Sequence, residues 1–68
     1  MSGTALESFG RRLRLIRTHQ GYTQEALAKK IGIHPNYISD VENGRRNITL
    51  KVIVKIAQGL NISIKDFF

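Results

Sequence analysis

Few groups in this chain could carry out a reaction. Its 68 residues include no cysteine, two histidines and five Asp or Glu. No nucleophile is set beside a base, and no pair of carboxylates is spaced for general acid–base work. His19 and His34 have no second His, Cys or carboxylate at the short spacings that bind zinc. No metal or cofactor is therefore expected, and the chain does not read as an enzyme. Positive charge, by contrast, is abundant. Eleven Lys and Arg give a net charge of +6 and a pI near 10.4. Such an excess favours a polyanionic partner, with nucleic acid first and an anionic membrane surface second.

The elements that position these groups are short and soluble in character. No apolar run approaches the roughly 18 residues of a membrane span. The N-terminus carries neither an apolar signal core nor an Arg/Ser-rich transit pattern. A cytoplasmic protein with no membrane partner and no small-molecule ligand is expected. The length fits one domain over residues 1–68. A chain this small buries only about 60% of its unfolded surface, so association with a second copy is a natural source of further stability.

Helix signals recur at short intervals. Thr4 and Glu7 form a T-x-x-E capping box, followed by Leu6, Phe9, Leu13 and Ile16 at helical spacing, and Gly21 ends this first helix. Thr23 caps a second helix from about Gln24 to Ile31, with Lys29 and Lys30 in its last turn and Gly32 as its stop. Pro35 suits the first position of a third helix, which runs to about Asn43 before Gly44. Thr49 caps a fourth from Leu50 to about Leu60, and Ser63 with Asp66 opens a short fifth. With caps at Thr23, His34, Thr49 and Ser63, the pairs Tyr22–Leu27, Ile33–Ile38, Ile48–Ile53 and Ile62–Phe67 all fall at hydrophobic-staple spacing.

The second and third helices are joined only by Gly32-Ile33-His34. Two short helices linked by so short a turn containing Gly make a helix-turn-helix unit, over about residues 24–43, whose second helix can enter a major groove. At these residues the chain resembles the phage repressor/Cro (Xre) family. The similarity runs through Tyr22-Thr23-Gln24-Glu25-Ala26-Leu27-Ala28, Ile31-Gly32-Ile33, Tyr37-Ile38-Ser39 and Glu42-Asn43-Gly44-Arg45, and continues from Leu50 to Phe68. Within that family, the small size and the run Arg46-Asn47-Ile48-Thr49-Leu50 look most like restriction–modification controller proteins.

The resemblance implies an all-α, five-helix lambda-repressor-like DNA-binding domain. It implies that Gln24 and Asn43 meet DNA phosphates, with Arg45 and Arg46 reaching the backbone or the minor groove. It places Pro35, Asn36, Tyr37, Ser39 and Asp40 in the recognition helix, with His34 at its start, as the candidates for base readout. It also implies that Arg17 pairs with Glu42, an architectural salt bridge between the first and third helices. The remaining arginines of the first helix, Arg11, Arg12 and Arg14, read as a solvated face.

The chemistry of the recognition helix is uneven. Asn36 can pair with adenine N6 and N7, and Asp40 can accept from cytosine N4 or act as a solvated charge that repels phosphate. Tyr37 either contacts DNA or packs beside the second helix. Pro35 offers apolar contact where many relatives carry a polar residue. No arginine for guanine lies inside the helix, which leaves Arg45 or Arg46 to supply one.

Apolar residues exceed what one subunit needs. A single core is expected to take Leu6, Leu13, Ile16, Leu27, Ala28, Ile31, Ile38, Val41, Leu50, Ile53, Ala57 and Leu60. The fourth helix is apolar around most of its circumference, so Val52, Ile56, Ile64 and Phe68 are assigned to a dimer interface on residues 50–68. A homodimer on a roughly palindromic operator is expected, acting as a sequence-specific regulator of transcription. If it activates, RNA polymerase is a further partner, although no patch in the sequence marks it. The competing reading is a protein-interaction module, an antitoxin or adaptor built on the same fold; it accounts for the apolar surplus but not for the clustered arginines.

Overall fold

The computed structural model describes residues 4–68, so the first three residues of the expected domain lie outside the described residues. Four helices occur in order, α1 at Ala5–His19, α2 at Gln24–Ile31, α3 at Pro35–Glu42 and α4 at Leu50–Leu60, and no strand occurs among the described residues. The all-α expectation holds, but the fifth helix does not form as one. Ile64–Phe67 is a single 3-10 turn, held by bonds from Asp66 N–H to the Ser63 carbonyl and from Phe68 N–H to the Lys65 carbonyl. Its three-residue period turns Phe67 inward, where its ring lies 4.9 Å from that of Phe9.

The starts are made by side chains, as the residue types require. The Thr4 hydroxyl accepts from Glu7 N–H while the Glu7 carboxylate accepts from Thr4 N–H, at 3.2 and 2.9 Å. Thr23 and Thr49 accept from the N–H groups of Ala26 and Val52. The ends share one geometry. Gly21, Gly32, Gly44 and Asn61 each take positive φ after a helix. At Gly44 the pair of closing bonds is complete: Gly44 N–H donates to the Val41 carbonyl and Arg45 N–H to the Asp40 carbonyl. This is the Schellman turn, and only a residue at ease in the left-handed region can make it. The residue after each turn is anchored on the core at Tyr22, Ile33 and Ile62, and each of these also precedes the next cap. One apolar side chain thus ends one helix and aims the next. The link after α3 is different: its corresponding residue is Arg45, and Arg45, Arg46 and Asn47 are exposed.

The core consists of Phe9 and Leu13 from α1, Leu27, Ala28 and Ile31 from α2, Ile38 and Val41 from α3, Ile56, Ala57 and Leu60 from α4, and Phe67. Several positions depart from expectation. Phe9 and Phe67 are enclosed, and Leu50, assigned to the core, is 66% exposed. Leu6, Ile16 and Ile53 are only half-buried. Ile56, assigned to a dimer interface, is fully enclosed by its own subunit. The rotation of α4 is set by Ile56, Ala57 and Leu60 facing inward together, with Gly59 lying so close to the Ile31 side chain that a Cβ would overlap its Cγ2. The later turns of α4 meet α2, and Leu50 in the first turn projects beyond that contact.

Gly10 performs the same service between α1 and α3. A Cβ there would run into the Val41 carbonyl oxygen and approach that of Glu42 to 2.7 Å. The two backbones can therefore touch, and Arg17, two turns along the same face of α1, arrives opposite Glu42.

Candidate nucleic-acid interface

The anchor of the helix-turn-helix is the Arg17–Glu42 pair that the resemblance implied. The guanidinium donates through Nε to Glu42 Oε2 at 2.5 Å, through Nη2 to Oε1 at 3.0 Å, and through Nη1 to the Tyr22 carbonyl at 2.6 Å. The two side chains are 8% and 3% exposed. Gln24 Nε2 donates to the same Oε1 at 3.0 Å. One carboxylate at the end of α3 is thereby held from α1 and α2 at once. Among the described residues no buried side-chain N or O lacks a partner, so the cluster is enclosed without an orphaned charge.

This tie sets how α3 stands against α2. An open cleft between their N-terminal ends is lined by Thr23, Gln24, Glu25, Pro35, Asn36 and Ser39, with Arg17 at its floor. The outer side of α3 begins at His34, whose Nδ1 accepts from Asn36 N–H at 3.0 Å and caps the helix. Asn36 and His34 are exposed, and Pro35, Tyr37, Ser39 and Asp40 are half-exposed. Of the six expected base-reading positions, Pro35, Asn36, Ser39 and Asp40 lie on the side of α3 that the core does not claim, with His34 at its start. Tyr37 straddles the division: it packs against the core, yet carries the Arg46 guanidinium over its ring at 4.7 Å. Arg46 Nη2 also lies 3.7 Å from Asp40 Oδ2.

The expected phosphate-contacting positions separate in the structure. Gln24 sits at the first turn of α2 facing the cleft, with one amide N–H committed to Glu42 and a second still available. Asn43 is exposed but caps α3, donating from Nδ2 to the Ser39 carbonyl at 2.8 Å. Arg45 and Arg46 stand in the exposed link after Gly44. Tyr22, half-buried against the core, receives a bond on its hydroxyl from Lys30 Nζ at 2.6 Å.

Sequence reasoning missed two arrangements: the Gln24–Glu42 bond, and the return of Arg46 onto Tyr37 and Asp40. The second had a visible cue, since a Schellman glycine reverses the chain and lays the next residues back along the helix it has just ended. Of the residues assigned to a dimer interface, Ile56 is core, Val52 is half-buried on that core, and Ile64 and Phe68 are exposed, at 38% and 79%. Phe68 also lies 5.8 Å from the Phe9 ring. Among the described residues no three His, Cys, Asp or Glu side chains gather to hold a metal, and no helix is long and apolar enough to cross a membrane.

Comparison with known proteins agrees with this geometry. A family profile described as Helix-turn-helix matches residues 13–67. Control protein C.BamHI of Bacillus amyloliquefaciens is 42% identical over 59 residues, which covers 85% of this chain and 73% of that protein. The restriction-modification controller protein C.AhdI from Aeromonas hydrophila superposes with a TM-score of 0.91 at 43% identity, covering 93% of this chain and 96% of its own. A third relative, the controller protein C.Esp1396I, solved as a tetramer in complex with its natural 35 base-pair operator, has a TM-score of 0.87 at 36% identity and covers 97% and 87%. Fold, capped boundaries and comparisons converge: this chain belongs to the helix-turn-helix family of the phage repressor/Cro type.

Proposed function

We propose that this protein is a sequence-specific, double-stranded DNA-binding regulator of transcription that acts in the cytoplasm as a homodimer, and that it is a restriction–modification controller protein. The observation that carries the reading is the outer side of α3. It leaves Asn36 exposed and Asp40 half-exposed, brings Arg46 beside Asp40, and is held against α2 by the enclosed Arg17–Glu42 pair and its bond from Gln24. A helix presented in this way, within a chain of net charge +6, suits a major groove flanked by phosphates.

In this reading Asn36 addresses base edges, Gln24 positions the protein on a phosphate, and Arg45 and Arg46 add contacts beyond the helix. Asn43 acts chiefly by ending α3. The dimer face centres on Ile64 and Phe68, the exposed apolar residues next to α4, with Val52 and Leu50 at its margin and Ile56 left to the core. Two-fold symmetry would set the recognition helices about 34 Å apart, one DNA turn. Likeness to C.Esp1396I, which was solved as a tetramer on its operator, supports the DNA partner and self-association.

The test is in vitro selection from random duplexes, then salt titration on the selected site and on a scrambled one. A palindromic motif, an affinity gap of about 10³–10⁷ and a steep salt slope on both duplexes are expected. Equal affinity for the two duplexes would leave only charge-driven binding. No DNA binding at all would favour the protein-interaction reading.

A further inference from the structure

We propose that Asp40 does not itself read a base but is a positioning residue that, together with Tyr37, holds Arg46 on the outer side of α3 as the guanine-reading arginine that the recognition helix lacks. The inference rests on the DNA-binding reading above.

Three observations meet at this point. First, α3 contains no Arg or Lys from Pro35 to Glu42, so any arginine on its outer side must come from elsewhere in the chain. Second, the Schellman turn at Gly44, closed by Arg45 N–H on the Asp40 carbonyl, turns the chain back along the helix. That reversal brings Arg46, six residues after Asp40, beside Asp40 and Tyr37, which lie three residues apart and so on one side of α3. Third, both supports are engaged. The Arg46 guanidinium lies 4.7 Å from the centre of the Tyr37 ring, and its Nη2 lies 3.7 Å from Asp40 Oδ2.

The two supports differ in kind. Tyr37 packs against the core and is a fixed platform, while Asp40 is a half-exposed point charge at its edge. Arg46 remains half-exposed, and one carboxylate contact leaves most of its five N–H donors facing solvent. A solvated pair of this sort adds little to folding stability. Its effect is to restrict a long flexible side chain before binding, so less freedom is lost when the guanidinium meets N7 and O6 of a guanine. The pairing also accounts for a carboxylate on a surface that approaches phosphates. With Arg46 on it, Asp40 brings no net charge into the groove.

The experiment repeats the selection with wild type and with Arg46→Ala, Asp40→Ala, Tyr37→Phe and the Asp40→Ala/Arg46→Ala double variant. Affinity is then measured on duplexes changed one base pair at a time, with circular dichroism to check that each variant folds. Arg46→Ala should lose about 10–100-fold of discrimination at one guanine position, the size of one bidentate arginine contact. Asp40→Ala should lose a smaller factor at that same position. The double variant should be no worse than Arg46→Ala alone, because the two act in series. Tyr37→Phe keeps the ring, so any loss of discrimination it shows should fall at that same position and not at another base pair.

The proposal is overturned if Asp40→Ala relaxes a different base pair from Arg46→Ala with multiplying effects, since Asp40 would then read a base directly. It is equally overturned if Asp40→Ala tightens binding to every duplex alike, the behaviour of a bare repelling charge. If wild-type protein yields no motif, the failure lies with the DNA-binding reading itself, and the inference falls with it.

Discussion

Replacing Arg17 by Met tests the architecture on which the interface depends. The change keeps most of the side-chain volume but leaves the Glu42 carboxylate enclosed, 3% exposed, with Gln24 Nε2 as its remaining side-chain donor. Removing one partner of a buried pair costs about 3–5 kcal/mol. The Tyr22 carbonyl also loses its donor, a part-buried bond worth about 0.5 kcal/mol at the lower end of the usual range. A domain of this length holds only about 3–10 kcal/mol in total. Arg17→Met should therefore remove a third or more of the stability and leave the chain at the edge of folding. Urea unfolding monitored by circular dichroism, at one fixed protein concentration, measures this. With a slope near 1 kcal/mol per molar, the midpoint should fall by about 3 M or more. The double variant Arg17→Met/Glu42→Leu removes both charges and should recover most of the loss, because a buried pair replaced by apolar groups of similar size is often neutral. A single variant within about 1 kcal/mol of wild type, or a double variant no better than the single, would refute the reasoning.

Three further outcomes are expected. Gly10→Ala should destabilise by about 1–3 kcal/mol, since its Cβ meets the backbone of α3, whereas the same change on an open helix surface would stabilise; the sign of the urea-midpoint shift decides. Phe68→Lys or Ile64→Lys should give folded monomers in sedimentation at micromolar concentration, while Ile56→Lys should unfold the chain; a dimer that persisted would place the interface elsewhere. Asn36→Ala should relax one or two base positions by about 1–3 kcal/mol. Gln24→Ala should weaken all duplexes together, with a stability loss of about 1 kcal/mol from the bond to Glu42; identical specificity profiles for these two variants would abolish the division between reader and positioner.

Much of the fold was legible because its punctuation is local. A threonine cap acts on an N–H three residues away, as Thr4, Thr23 and Thr49 do, and a helix stop is decided by the one residue that can take positive φ. The staple pairs gave away the rest: Tyr22, Ile33 and Ile62 each end one helix and aim the next, so the spacing of apolar residues encodes the connections as well as the helices. The 3-10 form of Ile64–Phe67 was not legible, since a cap specifies a start and says nothing of the pitch beyond it.

What the residues could not decide alone was orientation. Lys51, Lys55 and Gln58 lie at helical spacing and mark one outer stripe of α4, opposite Ile56, Ala57 and Leu60, but the pattern does not sort the apolar residues between the two. Their outcome is tertiary: Gly59 is pressed against Ile31, a contact between segments far apart in the chain, while Leu50 is left 66% exposed. The same holds for Gly10, whose missing Cβ matters only because α3 crosses there. At the interface, the family resemblance implied the Arg17–Glu42 salt bridge, but not that Gln24 shares Glu42 with Arg17 or that Arg46 folds back onto Tyr37 and Asp40. A long polar side chain has several partners within reach along the chain, and only the packing of the helices around it selects among them.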